Sequence, residues 1–140
     1  MRTVRTAATL GAALLLAAAG VAAGPGLAAA VSRCTGAGCT GKDAAAAGCA
    51  SGAVTKASFS GASVRVELRY SPSCHAAWAK ATAAPAGQTL MVENGHGVRS
   101  RVTIGRGRAT AWTPMVDGTT KVRACLGEAD SDVLTCTNWF

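Results

Sequence analysis

Six cysteines constrain the fold of this 140-residue chain more than any other feature of its sequence. An even number of cysteines in a small exported protein is typical of a disulfide framework. Zinc is the alternative, but the chain has no C-x-x-C pair and lacks the ligand spacing of zinc ribbons. We therefore predict a framework of disulfides, with no metal and no cofactor. Its members are Cys34, Cys39, Cys49, Cys74, Cys125 and Cys136.

The pairing of these cysteines is open at this point, because six cysteines allow 15 connectivities. Sequence spacing favours one bridge across the short loop CTGAGC and another across the neck of a hairpin near the end of the chain. The two remaining cysteines then pair with each other. The favoured pairs are Cys34–Cys39, Cys125–Cys136 and Cys49–Cys74.

The N-terminus has the three parts of a secretory signal peptide. Two arginines precede an uncharged run rich in alanine and leucine, which small residues end at Ala28-Ala29-Ala30. This order predicts a signal peptide over residues 1–30, cleaved after Ala30 or, as a second choice, after Ala23. Gly24-Pro25-Gly26 interrupts the apolar run, which disfavours a retained membrane anchor. We expect a secreted, extracellular protein with no membrane span after cleavage.

About 110 residues remain after the signal peptide, which is enough for one small domain. Residues 31–53 are rich in glycine and cysteine and have little to bury, so we predict an N-terminal arm there. Residues 54–140 are predicted to form a β domain. The arm and the β domain together make one globular domain.

The run SVRVELRY is the clearest strand in the chain. Apolar and charged residues alternate along it, and this period of two is typical of a strand with one buried face. Pro72 cannot donate a hydrogen bond to a sheet, so we expect Ser71-Pro72-Ser73 to end the strand in a turn. Trp78 has the size to cover a bridge at Cys74. The predicted buried face holds Val64, Val66, Leu68 and Tyr70, and the other face holds Arg65, Glu67 and Arg69.

Further β-rich runs are separated by turn residues along the rest of the chain. A tight turn with positive φ at both central positions is predicted at Asn94-Gly95, and further turns at Gly105-Arg106-Gly107 and Asp117-Gly118. Pro114 indicates an edge strand or a bulge. The segment SCHAAWAKATAA, ended by Pro85, is the one stretch that suits a helical turn. This rhythm predicts a mostly β fold, a small antiparallel β-sandwich or barrel stapled by disulfides.

The glycine-rich start with paired cysteines, the run VELRYSPSCHAAWAK and the later TPMV and VRACL resemble the YjfA-like family of exported bacterial domains of unknown function. The resemblance extends from Cys34 to Cys136, and its most specific part lies between Leu68 and Trp78. It implies a small extracellular domain without an assigned activity. Similar domains follow a helix-turn-helix regulator and a membrane span, which suits extracellular sensing or binding; this chain has no such regulator. Asp43 is followed by alanine where the family pattern has proline.

The sequence offers little catalytic machinery. A nucleophile dyad would need His75 or His96 beside a serine or an unpaired cysteine, and no G-x-S-x-G elbow is present. We predict that both histidines are turn residues. Glu67 lies between Arg65 and Arg69 on one strand face, so we expect cross-strand ion pairs there rather than acid catalysis. The chain is predicted not to be an enzyme.

Glu128, Asp130 and Asp132 alternate like the first ligands of a calcium loop. An EF-hand loop needs a glycine at its sixth position and a glutamate at its twelfth, and this chain has Val133 and Trp139 there. We predict a solvated hairpin tip, with weak calcium binding as the alternative.

Trp112 and Met115, in the run AWTPMV, suit either of two roles. They could line a ligand groove, but a domain with few aromatic residues needs each of them for packing. We predict that Trp112 is core or half-buried.

Positive charge is the most suggestive feature for function. Residues 31–140 contain twelve Lys or Arg against seven Asp or Glu, and the run VRSRVTIGRGR holds four arginines. On a hairpin these would make a cationic end that suits phosphate or carboxylate; the alternative is a solubilising surface. Nucleic acid is not expected, because Trp112 is the one aromatic residue nearby and because the chain is exported. The candidate anion-binding residues are Arg99, Arg101, Arg106 and Arg108.

We therefore predict a secreted, disulfide-stabilised domain that acts as a non-catalytic binding or cell-envelope-associated module. The expected partner is an anionic envelope polymer or an extracellular protein, and the oligomeric state is left open. One alternative is an inhibitor of an extracellular enzyme that presents the loop from Asn94 to Gly97. Another is a small secreted hydrolase that uses His75 or His96.

Overall fold

The computed structural model describes residues 33–129 and 131–140, so the predicted signal peptide lies outside the described residues. A short 3-10 helix occupies Gly36–Cys39. In this part of the chain no helix is long and apolar enough to cross a membrane. The strands are β1 (Val54–Gly61), β2 (Val64–Ser71), β3 (Ala76–Thr82), β4 (Thr89–Asn94), β5 (Arg99–Thr103), β6 (Thr110–Trp112), β7 (Val116–Asp117), β8 (Val122–Gly127) and β9 (Leu134–Cys136).

The strands form two antiparallel sheets that pack face to face. The first sheet has the order β1-β2-β3-β6, with β7 also paired to β3, and the second has the order β5-β4-β8-β9. The main core lies between them, and no ladder in the described residues closes the sheets into a barrel. The mostly β prediction is confirmed, in its sandwich form. The largest fully buried side chains of the main core are Val66, Leu68, Leu90, Val92, Val116 and Val122.

Strand β2 has the alternation that its sequence predicts. Val66 and Leu68 are fully buried, while Val64 and Tyr70 pack at the margin of the main core. The strand ends at Ser71, and the chain turns before β3 begins. The serine and proline residues therefore end the strand as expected.

The segment SCHAAWAKATAA is not helical, because it contains β3. Alanine favours helices in isolation, but β3 is a central strand that pairs with β2 on one side and with β6 and β7 on the other. Ala77, Ala79 and Ala81 face the main core, and Trp78 packs on the opposite face of the sheet. Pairing on both sides and burial on both faces therefore override the local propensity.

The three disulfides join the cysteines in the pairs that spacing favoured: Cys34–Cys39, Cys49–Cys74 and Cys125–Cys136. The second of these ties the arm to the β2–β3 turn, and Trp78 packs on it together with Met115. The backbone adds to this attachment, because the Gly41 N–H donates to the Met115 carbonyl and the Met115 N–H donates to the Lys42 carbonyl. The arm thereby closes a second, smaller core on the outer face of the first sheet, which we call the arm core.

The β4–β5 hairpin differs from the tight turn predicted at Asn94-Gly95. Its loop runs from Gly95 to Gly97, since the Asn94 N–H donates to the Val98 carbonyl across the last pair. The positive φ is found at Gly97, at +77°, and not at Asn94 or Gly95. The Asn94 side chain caps the loop by accepting hydrogen bonds from the N–H groups of His96 and Val98.

Pro114 lies at a sheet edge, as predicted. It separates β6 from β7, and both of these pair with β3 at the open side of the first sheet. Thr113 maintains the pairing beside it, because its side-chain oxygen accepts a hydrogen bond from the Ala79 N–H.

Candidate functional site: two depressions beside strand β5

The outer face of the second sheet carries a groove of about 620 Å³. Every second residue of its four strands points away from the main core, and strand pairing aligns these residues in rows. We call this surface the arginine groove, because three arginines from two strands line it. Its rows are Arg99, Glu93 and Arg123; Arg101, Met91, Cys125 and Cys136; and Thr103, Thr89, Gly127 and Leu134.

Glu93 is held by two guanidinium groups in this groove. Its side chain is 7% exposed. Arg99 donates to Oε1 from Nε at 2.9 Å and from Nη2 at 2.8 Å. Arg123 donates to Oε2 from Nε at 3.0 Å and from Nη2 at 2.8 Å. These bonds fix both arginines in position and leave the Nη1 group of each outside them.

The two arginines also change the ionisation of Glu93. Burial by itself raises the pKa of this carboxyl, because it disfavours the charged form. The hydrogen bonds and positive charges of Arg123 and Arg99 outweigh burial, so the pKa lies below its ordinary value of 4.5. Glu93 is therefore ionised at neutral pH. We call Glu93, Arg99 and Arg123 the Glu93 clamp. Together with Arg101, this clamp gives its end of the groove a formal charge of +2.

Trp139 extends the Glu93 row on its far side. The Arg123 guanidinium carbon lies 4.4 Å from the centroid of the indole ring, and Lys121 Nζ lies 4.8 Å from it. Such cation–π contacts stabilise by about 0.5–1 kcal/mol at exposed sites. They hold Arg123 from the side opposite Glu93.

Sequence reasoning missed Glu93, Arg123 and Trp139. The pairing of Glu93 with Arg99 could have been predicted from the sequence, because the two residues flank the predicted hairpin loop and face each other in the register of that hairpin. The contact of Arg123 with Glu93 could not have been predicted, because the two residues are 30 positions apart in the chain. Only the pairing of β4 with β8 brings it to the groove.

A second depression, of about 300 Å³, lies between the edges of β5 and β6. We call it the tryptophan depression, because Trp112 lines it together with Arg108. Trp112 is 47% exposed, and its Nε1 donates to Asp43 Oδ2 at 3.2 Å. The prediction that Trp112 is a core residue is therefore wrong: it lies on an edge strand beyond the arm core, with about half of its surface accessible. Met115 is fully buried in the arm core.

The four arginines predicted to bind anions do not form one cluster. Arg99 belongs to the Glu93 clamp, and Arg101 lies beside it in the arginine groove. Arg108 lines the tryptophan depression, and Arg106 is exposed in the connection from β5 to β6. Both depressions share Thr103, the last residue of β5. Arg99 and Arg101 therefore lie on one side of this edge and Arg108 on the other. Among the described residues, carboxylates within 4.0 Å are found for Arg99 but not for the other three.

Both candidate histidines are exposed turn residues, as predicted. His75 lies in the β2–β3 turn, and its Nδ1 is 3.2 Å from the Tyr70 hydroxyl. His96 lies at the tip of the β4–β5 loop, where its backbone N–H donates to the Asn94 side chain. Neither histidine has a serine or a carboxylate as a hydrogen-bond partner within the described residues.

Glu67 makes ordinary ion pairs on the outer face of the first sheet. Its carboxylate lies 3.7 Å from Arg65 Nε and 3.9 Å from Lys80 Nζ on the neighbouring strand. Arg69 instead donates to the Thr55 hydroxyl and to the Ala53 carbonyl. The predicted cross-strand ion pairing is therefore found, with Lys80 on β3 as the partner.

Of the three acidic residues in EADSD, Asp130 lies outside the described residues. Glu128 accepts a hydrogen bond from Gln88 Nε2 at 3.2 Å. Glu128 and Asp132 are exposed and line the arginine groove. In residues 33–129 and 131–140, the group of metal-ligand side chains that converges is the four cysteines of the arm, and these are bridged in pairs.

A family model described as "Protein of unknown function (DUF2690)" matches residues 37–125, more than half of the chain. The chain belongs to the DUF2690 family. The DUF2690 match begins in the arm and ends in β8, so it includes Glu93, Arg123 and all four candidate arginines but not Trp139. Comparisons of this DUF2690 protein with curated proteins and with solved structures gave no match.

Proposed function

We propose that this DUF2690 domain is a secreted, non-catalytic binding module that associates with an anionic polymer of the cell envelope. One observation carries the proposal. Arg101, Arg106 and Arg108 follow strand β5 and its turn without an acidic partner among the described residues, beside two depressions that share Thr103. Guanidinium groups on an edge between two concave surfaces suit the repeated phosphates or carboxylates of a polymer.

The expected compartment supports an envelope partner. The predicted signal peptide directs the chain out of the cytoplasm, and disulfides persist in oxidising environments. The excess of lysine and arginine in residues 31–140 adds long-range attraction to a polyanion. Nucleic acid fits less well, because single strands need several stacking rings and Trp112 is the aromatic residue beside these arginines.

The side-chain contacts support binding rather than catalysis. Both oxygens of Glu93 accept hydrogen bonds from arginines, and His75 is bonded to a phenol hydroxyl. The closer assignment to the YjfA-like domains is part of the same proposal. It depends on the run from Leu68 to Trp78, and it suits an extracellular binding role.

Inhibition of an extracellular enzyme is the second candidate, because the tip of the β4–β5 hairpin is held from both sides. The Gly95 N–H donates to the Lys121 carbonyl at 2.7 Å and lies 3.2 Å from Thr120 Oγ1. The Asn94 side chain caps the same loop. A loop held in this way loses little conformational entropy when it binds an enzyme. This candidate predicts stoichiometric inhibition of a secreted protease or glycosidase.

Sedimentation with purified cell envelope tests the polymer proposal. We expect the oxidised protein to bind in low salt and to dissociate in high salt, because salt screens exposed charges. The variant R101S/R106S/R108S should bind about tenfold more weakly, which is about 1.4 kcal/mol.

The matched control is R33S/K56S/R65S, which removes the same charge from the arm, β1 and β2. We expect it to bind nearly as well as the native protein. Absence of binding by the native protein in low salt would overturn the proposal. An equal loss in both variants would also overturn it, because net charge alone would then explain the binding.

A further inference from the structure

We propose that the arginine groove binds a short extended peptide by its two charged ends, with the carboxylate at the arginines and the ammonium at Glu128 and Asp132. This inference rests on the proposed binding role and adds the class of ligand to it. The groove has opposite charges at its two ends, which a uniform polyanion does not require.

The positive end is built around Glu93. Because its carboxylate already holds Arg99 and Arg123 in position, these two side chains lose little rotamer entropy when a ligand arrives. Their Nη1 groups remain outside the clamp, and the Arg101 side chain makes no hydrogen bond within the described residues. The formal charge of +2 at this end favours one further carboxylate.

The negative end has more acceptors than donors. Glu128 and Asp132 line it, and among described side chains the hydrogen-bond donor to Glu128 is Gln88. An ammonium group, which is a donor in three directions and accepts nothing, is the complement of such a surface.

Strand geometry sets the distance between the two ends. Glu93 lies in the row of the positive end. Thr89 lies in the row nearest the acidic loop, because Thr89 pairs with Gly127 and Glu128 is the next residue in the chain. Four residues at about 3.4 Å each separate these rows by about 14 Å. An extended peptide of about five residues spans the same length between its first and last Cα atoms.

The floor between the ends suits a peptide of small residues. Met91, which is 2% exposed, and the Cys125–Cys136 bridge lie in the middle row, with Leu134 in the next. Thr89 and Thr103 also line the groove, and their hydroxyl groups are available to a peptide backbone. The charged ends lie four strand residues apart, which favours an extended chain over a single amino acid.

Titration with penta-alanine tests the inference. The oxidised, ¹⁵N-labelled protein is titrated with penta-alanine that has free termini, with its N-acetylated form, with its C-terminal amide and with tri-alanine. We expect the free pentapeptide to shift the amide signals of Met91, Arg101 and Leu134. Blocking either end, or shortening the peptide, should weaken binding at least about fivefold, because one pole of the groove then stays unpaired.

Variants assign each end. R101S should weaken all peptides that keep the carboxylate, whereas E128Q/D132N should weaken free penta-alanine at least about fivefold and leave the N-acetylated peptide unchanged. R106S, which lies outside the groove, is the matched control and should bind penta-alanine as the native protein does. Equal affinity for free and N-acetylated penta-alanine would overturn the inference, as would the absence of shifts at Met91 and Leu134.

The same variants separate this inference from the polymer proposal. If E128Q/D132N binds cell envelope normally and penta-alanine does not bind the native protein, the peptide inference fails while the polymer proposal stands. If penta-alanine binds as expected and the native protein does not bind envelope, the polymer proposal fails and the groove remains a peptide site.

Discussion

The outer faces of the two sheets bury their central side chains in different ways. On the first sheet the arm covers the centre of the face, so that Trp78 is 5% exposed and packs on a disulfide. On the second sheet no such cover exists among the described residues, and Glu93 is buried by two arginines instead. A covered face can hold a large apolar side chain, whereas an open face can bury a carboxylate only when its charge is matched.

Truncation of one tryptophan on each face is expected to give the largest difference. Trp78→Ala should lower the free energy of unfolding by about 3–5 kcal/mol, because it leaves a cavity in the arm core. Trp139→Ala should cost no more than about 1 kcal/mol, because that ring is 39% exposed and makes mainly cation–π contacts. Urea unfolding of both variants measures the difference. Similar losses in the two variants would contradict the view that only the first face is a core.

Removal of the bridge beneath each face should give the next largest effect. Loop entropy assigns about 3.5 kcal/mol to Cys49–Cys74, with its sequence separation of 25, and about 2.8 kcal/mol to Cys125–Cys136, with its separation of 11. We therefore expect C49A/C74A to be less stable than C125A/C136A in guanidinium unfolding.

Fluorescence of the same two variants sharpens the comparison. Cys49–Cys74 is the bridge that ties the arm to the first sheet, so its removal should expose Trp78 and shift the native emission to longer wavelength. C125A/C136A leaves the arm attached and should keep the native emission. A native emission in both variants would show that backbone bonds alone hold the arm in place.

The Glu93 clamp should contribute a smaller, pH-dependent effect. Because the pKa of Glu93 is lowered in the folded state, the stabilisation by its ionised form is fully present above about pH 4.5 and is lost as the pH falls through the lower folded value. Glu93→Gln should cost about 1–3 kcal/mol at neutral pH. Its stability should also fall less steeply than that of the native protein on acidification below about pH 4.5.

Urea unfolding between neutral pH and about pH 2.5 measures this effect. Glu128→Gln is the control, since Glu128 is exposed and its loss should change stability by less than about 0.5 kcal/mol. Parallel pH profiles for the native protein and Glu93→Gln would contradict the clamp.

Local patterns were sufficient for much of the fold. The alternation in SVRVELRY predicted which residues of β2 face the main core, and Pro114 correctly indicated an edge. The alanine-rich β3 could not be predicted in this way, because its propensity is helical and its burial on two faces depends on distant strands. Trp112 failed for the converse reason: an aromatic residue in a small domain is usually buried, but the edge position of β6 leaves this one exposed.

The candidate site was predictable only along one strand. The four arginines near β5 stand out from charge spacing alone, but the hairpin expected to gather them is not formed, because β5 and β6 belong to different sheets. Charge spacing does not show that Arg99 is paired with Glu93 while Arg101 is not. Nor does it show that the acidic loop after β8 lines the same groove as Arg101.

The sequence by itself determined the mostly β fold class, the strand at SVRVELRY, the edge at Pro114 and a disulfide framework whose favoured pairing the structure contains. These follow from side-chain period, backbone restrictions and cysteine spacing, which are local properties. The tertiary structure decided which outer face the arm covers and which charges meet in the arginine groove. A period of two separates the two faces of a strand, but it does not say what packs against either face, because that depends on the pairing of distant strands.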